Sequence, residues 1–203
     1  MPDAAQPAAE APASEEAQPA AEEAASEAAP AAPTSETRTR AALNKLVSAF
    51  HAYYDVNLEN PIPPFVAEAL FSLHDEQYVF IKKAKVSEAD IKEFVYFADG
   101  EELLLKERYE ELDKIAWEDG LSKAEPKANH RSSDVTLVIV AGAVAPDCAE
   151  AIRKAKHHVS YKFTFHGWST YRVVVYDLSK GTILYNRRGE ELKKVFDKIN
   201  IFS

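Results

Sequence analysis

The chain has 203 residues with 33 acidic and 24 basic side chains, a formal net charge of −9, and one cysteine. The length suits one ordinary domain plus an additional segment, and a lone cysteine excludes both an intrachain disulfide and a metal centre built from thiolates. A reduced cysteine is typical of a cytoplasmic protein, and no apolar run reaches the roughly 18 residues of a membrane-spanning helix, so no membrane partner is expected.

Residues 1–36 differ in composition from the rest of the chain. They hold fifteen Ala, six Pro and eight acidic residues, and no Lys or Arg. Such a segment cannot bury enough apolar surface to offset a backbone ordering cost of about 1–2 kcal/mol per residue, and its prolines interrupt any helix. We therefore predict a disordered acidic tail over 1–36 and a single globular α/β domain over 37–203. The tail lacks the basic start and apolar stretch of a secretory signal.

Charge is distributed unevenly along the chain. Residues 1–36 contribute −8, residues 37–126 contribute −7 and residues 127–203 contribute +6. The C-terminal part of the domain is therefore basic. An acidic tail on the same chain is expected to act as a spacer or as an intramolecular competitor for that basic surface.

The domain begins with a part, residues 37–75, that we predict to be helical. Apolar side chains recur with helical spacing over about 37–55 and again, more briefly, over 64–73. Pro64 suits the first position of the second helix because proline lacks the N–H that this position leaves unpaired.

The remaining residues, 76–203, are predicted to form the sheet of the domain. The predicted elements are a strand at 77–83, a helix start at 87–90, a strand at 93–98, a helix at 101–119 ended by Gly120, a loop at 121–133, a buried strand at 135–141, a helix at 146–157, a hairpin at 161–176, a strand at 182–185 and a helix at 189–199. Strands that alternate with helices and then follow one another predict an α/β (α+β) fold. We expect a mixed β-sheet of about six strands with helices on its faces.

The predicted hairpin carries most of the functional argument. A three-residue loop at 167–169 places Phe163 opposite Val173 and Phe165 opposite Tyr171, so that apolar pairs share the buried face. A two-residue loop would instead place Phe163 opposite Arg172 in the core. The chosen register leaves Arg172 on the polar, outward face.

The outward face of this hairpin is the candidate binding site. Its cations, together with Arg187 and Arg188, could converge on a phosphate or a carboxylate, which arginine binds with two parallel hydrogen bonds, and His157 and His158 lie just upstream of the hairpin. A solvated outer sheet face explains the same pattern without any ligand. Trp168, at the predicted hairpin tip, could anchor a protein partner or fold back over the core. The predicted binding residues are Lys162, His166, Trp168, Arg172, Arg187 and Arg188.

Two alternatives involve nucleic acids or phosphorylated substrates. Basic and aromatic residues interleave over 153–198 as they do in proteins that stack nucleic-acid bases, but the predicted register buries most of those aromatic rings. A metal-dependent hydrolase would bring two carboxylates to one divalent ion. For such an enzyme the pocket residues would be Asp134, Lys162, His166, Arg172 and Asp177.

Other enzyme classes have little support in the sequence. Neither a G-x-S-x-G nucleophile motif nor a glycine-rich phosphate loop occurs, and the histidines lack metal-ligand spacing, so no cofactor and no metal are expected. Cys148 lies in the first turn of a predicted helix, and we interpret it as a small buried side chain rather than a nucleophile. We therefore predict a non-enzymatic binding or assembly protein with a protein partner, and a metal-dependent, nuclease-like hydrolase as the alternative.

Overall fold

The computed structural model describes residues 35–73, 90–126, 130–199 and 201–202. The predicted disordered tail therefore lies outside the described residues as far as residue 34, and Ser35 and Glu36 already belong to the first helix. The strand predicted at 77–83 also lies outside them, as does the helix start predicted at 87–90, except for Asp90, which begins a strand.

The described elements follow one another in a mixed α and β order. In chain order they are α1 Ser35–Phe50, β1 Asp55–Asn57, β2 Ala67–Leu73, β3 Asp90–Asp99, β4 Leu103–Leu104, α2 Lys106–Lys123, β5 His130–Ala141, β6 Ala143–Val144, α3 Pro146–Lys154, β7 His158–Ser160, β8 Trp168–Asp177, β9 Thr182–Tyr185, a 3-10 turn Gly189–Leu192 and α4 Lys193–Ile199.

Seven of the described strands form one mixed sheet, in the order β1-β2-β3-β5-β8-β7, with β9 also paired to β8. Strands β3, β5 and β8 are parallel, and α2 and α3 provide the crossovers between them. The short strands β4 and β6 pair separately. The predicted mixed sheet with helices on its faces is confirmed.

The central strand β5 supplies a buried core on each face of the sheet. Leu137 and Ile139 pack with α2 and α3, whereas Val138 and Val140 pack with α1 and Phe196 of α4. Successive side chains of a strand point to opposite faces, so a strand covered on both sides is apolar throughout. This explains the continuous apolar run at 135–141, and the strand predicted there is confirmed.

The predicted second helix is wrong, because its residues form β2. Ala67 and Ala69 are buried at alternate positions, and β2 pairs with both β1 and β3. A short apolar run satisfies strand spacing as well as helical spacing, and here sheet pairing decides between them.

The bounds of α2 also differ from the prediction. Leu103 and Leu104 form β4, Leu105 is exposed, and the helix continues past Gly120 to Lys123. Gly120 lies inside the helix, facing β5. A Cβ atom at this position would come 2.5 Å from Cγ2 of Val135, so there is no room for a side chain. Its role is close packing of α2 on β5 rather than helix termination. The predicted loop at 121–133 is correspondingly too long, since β5 begins at His130.

The predicted hairpin register is wrong. Strand β7 pairs with the start of β8, with Ser160 opposite Trp168, and residues 161–167 form a compact turn. The prediction paired residues 161–165 with this edge of β8. In the structure, β9 pairs with the later part of the same edge, Val174–Asp177. Phe163 and Phe165 are consequently 93% and 80% exposed.

The C-terminal elements agree with the predictions at 182–185 and 189–199, the latter starting as a 3-10 turn. Phe196 of α4 is buried in the core, whereas Val195 is exposed. The helix that starts at Pro146 is also confirmed, and it ends at Lys154.

Candidate functional site

A cleft of about 680 Å³ opens where the C-terminal end of α3, β7, the start of β8 and the segment after β9 meet. We call it the basic cleft. Its lining residues are Arg153, Lys154, Ala155, Lys156, His157, His158, Thr170, Tyr171, Asn186, Arg187, Arg188 and Glu191. Five of them are Arg or Lys and two are His, whereas only Glu191 is acidic.

Few of these cations are paired within the part of the chain that the structure describes. Nζ of Lys154 lies 2.6 Å from Glu150 Oε1, and Nη1 of Arg188 lies 3.4 Å from Glu191 Oε1. Both pairs are exposed and contribute little to stability. Arg153, Lys156 and Arg187 form no ion pair with a described residue, so the lining of the cleft carries excess positive charge.

Buried Asn186 builds the floor of the cleft. Its Oδ1 accepts hydrogen bonds from the backbone N–H groups of Val173 at 3.2 Å and Gly189 at 2.7 Å. Its Nδ2 donates to the carbonyls of Ala155 at 3.1 Å and Tyr171 at 3.2 Å. The amide thereby uses both donor hydrogens and both acceptor positions, and it ties the segment after β9 to α3 and β8.

Gly189, which donates its N–H to Asn186, packs against β8 so closely that no side chain would fit. A Cβ atom at Gly189 would come 2.4 Å from the carbonyl oxygen of Val173. The backbone on either side of Arg187 and Arg188 is therefore fixed, while both guanidinium groups remain exposed at the cleft.

His157 lies at one side of the cleft, where its ring contacts two residues of α2. Its Nε2 lies 2.6 Å from Oδ2 of Asp113, and its ring stacks on Trp117 with 5.3 Å between centroids. Asp113 also accepts a hydrogen bond from Tyr109 Oη at 2.9 Å. Burial and the neighbouring Asp113 raise the pKa of Tyr109, which stays protonated and acts as a donor. His157 thus has a fixed ring orientation.

The predicted site residue Arg172 lies in a different environment. Its side chain is only 17% exposed and reaches Asp134 Oδ2 at 2.7 Å and Glu93 Oε1 at 3.3 Å. Thr136 Oγ1 donates to the same Glu93 oxygen at 2.7 Å, and Thr170 Oγ1 donates to Asp134. These carboxylates compensate the charge of Arg172, so its predicted position on an outward polar face is wrong.

The six predicted site residues are therefore only partly brought together. Arg187 and Arg188 line the basic cleft together with His157 and His158. Lys162, His166 and Trp168 do not line it: Lys162 and His166 belong to the turn, and Trp168 is the partly buried first residue of β8 rather than a hairpin tip.

Two residues of this turn, Phe163 and Phe165, are exposed although their predicted positions were in the core. We call residues 161–167 the aromatic loop. Lys162, Phe163 and Thr164 adopt positive φ angles of 45°, 53° and 73°. That conformation costs roughly 1–2 kcal/mol for each residue with a side chain, and the loop nevertheless holds both Phe rings in solvent. Aromatic and basic residues alternate in the sequence here, but the predicted register assigned the aromatic rings to the buried face of the sheet.

The carboxylate pair of the hydrolase alternative does not form. Thr170 lies opposite Asp134, and Asp177 lies opposite Ala141, seven residues further along the same pair of strands. At about 3.3 Å per residue the two acids are roughly 23 Å apart, too far to share a metal ion. Within the described ranges, no three His, Cys, Asp or Glu side chains gather in a way that could hold a metal.

Asp177, the last residue of β8, is fully buried. Burial opposes its ionisation, but hydrogen bonds from Ser179 Oγ and from the N–H and Nζ of Lys180 outweigh that effect and lower its pKa. Asp177 therefore organises the turn between β8 and β9.

Cys148 is buried in the first turn of α3, as predicted. Burial raises the pKa of its thiol to about 12, with smaller contributions from Asp147 and Glu107. The thiol is therefore protonated at neutral pH, and the sulfur is a poor nucleophile.

Three comparisons relate the chain to known proteins. The model of one family, described as a domain of unknown function (DUF8052), matches residues 38–198, which include every element that lines the basic cleft. No curated protein and no solved structure matches the chain. Among the residues that the structure describes, no helix has the length and apolar character needed to cross a bilayer.

Proposed function

This chain belongs to the DUF8052 family, and we propose that it is a binding or assembly protein that holds anionic groups of a partner in the basic cleft. The observation that carries the proposal is the charge of the lining, five Arg or Lys side chains against the single carboxylate of Glu191. A concave surface with one sign of charge concentrates ligands of the opposite sign. Phosphate and carboxylate groups are the ligands that such a surface favours.

The rigidity of the cleft supports the same function. Asn186 and Gly189 fix the backbone around Arg187 and Arg188, and Asp113 fixes the ring of His157. A binding site whose supporting backbone is already ordered loses less entropy when the ligand arrives. Both arginines can therefore offer paired N–H donors to an anion from an ordered backbone.

The acidic tail is the proposed competitor. Residues 1–36 carry eight acidic groups and no basic group, so their charge is complementary to the cleft. Because the tail is covalently attached, its effective concentration at the cleft exceeds that of a free acidic segment. We propose that a partner displaces the tail, and that this exchange takes place in the cytoplasm.

Immobilised heparin, a sulfated polyanion, provides a direct test of anion binding. The double variant Arg187→Ala/Arg188→Ala should elute at a clearly lower salt concentration than the full wild-type chain. Lys114→Ala/Lys198→Ala removes the same charge from exposed positions on α2 and α4, away from the cleft, and should elute close to wild type. Equal losses in the two double variants would refute a specific role for the cleft.

Neutralising the tail within the full-length chain tests the competition. A variant with the eight acids of residues 1–36 replaced by Gln or Asn should bind heparin more tightly than wild type at low salt. The difference should shrink as salt rises, because screening weakens the attraction between tail and cleft. An unchanged affinity at every salt concentration would show that the tail does not occupy the cleft.

A further inference from the structure

The aromatic loop presents the two most exposed large apolar side chains among the described residues, Phe163 and Phe165. Its backbone closes on itself through hydrogen bonds from Phe165 N–H to the Lys162 carbonyl at 3.1 Å and from Gly167 N–H to the Thr164 carbonyl at 3.0 Å. The exposed rings are therefore held by an ordered turn, and the left-handed backbone of the loop is maintained although both rings remain in water.

The loop lies in the most basic part of the chain. Residues 151–176 contain five Lys or Arg and three His, and no Asp or Glu. Strand β7 connects the loop to the basic cleft, because His158 lines the cleft and the loop begins at residue 161. Three extended residues span about 10 Å, so cations and exposed rings lie within the length of a few nucleotides.

The combination of rings and cations distinguishes among anionic partners. An acidic peptide would satisfy the cations of the cleft, but its carboxylates would leave the faces of Phe163 and Phe165 without a matching group. A single strand of nucleic acid supplies both phosphates and flat bases, and proteins that bind such strands combine a cationic groove with aromatic rings. The buried aromatic register was the main argument against nucleic acid in the sequence analysis, and these two rings are exposed.

We propose that the basic cleft and the aromatic loop together bind single-stranded nucleic acid, with phosphates in the cleft and bases stacked on Phe163 and Phe165. This inference rests on the proposed anion binding of the cleft and names the partner of that site. Because every base has a stacking face, the binding is expected to tolerate many sequences and to weaken strongly with salt.

Fluorescence anisotropy with labelled oligouridylate and oligothymidylate of about 15 nucleotides tests the proposal on the full chain, since binding sites of this kind cover roughly 4–16 nucleotides. Phe163→Ala/Phe165→Ala should weaken oligonucleotide binding at least tenfold and leave heparin elution unchanged. Tyr53→Ala removes a ring that is 79% exposed elsewhere on the domain and serves as the matched control. Arg187→Ala/Arg188→Ala should weaken both oligonucleotide and heparin binding.

The outcomes separate this inference from the function on which it rests. Heparin binding through the arginines without measurable oligonucleotide binding would overturn the nucleic-acid assignment and leave the anion-binding function intact. Loss of specific heparin binding would remove both. Wild-type oligonucleotide affinity in the Phe double variant, tighter binding of a duplex, or tighter binding of polyglutamate at the same salt would each contradict the inference. A preference between the two oligonucleotides would assign RNA or DNA.

Discussion

Oδ1 of Asn186 accepts the N–H of Gly189 at 2.7 Å, and this bond encloses Arg187 and Arg188 in a short segment with a fixed backbone. The same side chain reaches Ala155 at the end of α3 and Tyr171 on β8. One buried amide therefore joins three of the chain segments that form the basic cleft.

Asn186→Ala should be strongly destabilising. The substitution leaves the N–H groups of Val173 and Gly189 and two carbonyls without their partner, and unsatisfied buried polar groups cost about 1–3 kcal/mol each. We expect the free energy of unfolding to fall by roughly 2–4 kcal/mol, measured by urea denaturation. Asn57→Ala, whose exposed side chain bonds locally to Asn60, should change it by less than about 1 kcal/mol. Comparable effects in both variants would contradict the assigned role.

Gly120→Ala should destabilise the protein although alanine is the better helix former. In an unobstructed helix interior this replacement gains about 1 kcal/mol. Here the new Cβ would meet Cγ2 of Val135 at 2.5 Å, so α2 must move away from β5. Thermal denaturation should show a lower Tm than wild type.

A double-mutant cycle isolates that contact. Val135→Ala removes the methyl groups that obstruct the new Cβ, so Gly120→Ala should cost less in the Val135→Ala background than in wild type. A Gly120→Ala variant that is more stable than wild type would show that the two elements are not packed this closely.

Arg172→Ala should be among the most damaging single changes on this face of the sheet. It leaves the largely buried carboxylates of Glu93 and Asp134 without their cation, and breaking a buried pair in this way costs about 3–5 kcal/mol. Since the side chains retain 13–17% exposure, we expect about 2–4 kcal/mol in urea denaturation. Adding Glu93→Gln should restore part of the loss. If the double variant is less stable than Arg172→Ala, the charges are not the cause.

The Cys148 thiol should resist modification in the native protein. Its pKa is raised to about 12 by burial, so the thiol is almost entirely protonated at pH 8, and the sulfur is also shielded from reagents. Reaction with a disulfide reagent such as DTNB should be slow in buffer and fast in urea. A fast native reaction, at a rate equal to that in urea, would refute this burial.

The raised pKa of Cys148 also makes the stability of the folded protein depend on pH. A thiol whose pKa is higher in the folded protein favours folding while it is protonated. The contribution of the protonated thiol to the free energy of unfolding is complete below the ordinary thiol pKa near 9, and it is lost as the pH rises towards 12. A Cys148→Ser variant should therefore lose less stability than wild type between pH 9 and pH 11.

The parts of the fold that could be predicted from sequence are those in which one spacing dominates. The apolar run at 135–141 is typical of a strand covered on both faces, and Pro146, with Asp147 in the first turn and Arg153 and Lys154 in the last turn, marks α3. The second predicted helix failed because its few apolar residues satisfy both helical and strand spacing. Pairing with β1 and β3 decided that segment, and pairing partners are not visible locally.

The hairpin failed for a related reason. Local spacing relates only the two segments on either side of residues 167–169, whereas β7 and β9 share the edge of β8. Competition between strands that are distant in sequence therefore set the register. The structure brings Arg187 and Arg188 into one cleft with His157 and His158, and no local spacing in the sequence indicates this long-range arrangement.

The parallel centre of the sheet has a consequence for synthesis on the ribosome. Strand β8 pairs along β5 and carries β7 and β9 on its other edge, and it ends at Asp177, close to residue 198, where the match to the family ends. Each parallel partner must wait for a crossover helix to be made first. The nascent domain therefore cannot close its core until almost all of it has left the exit tunnel, and its apolar strands remain accessible to chaperones until then.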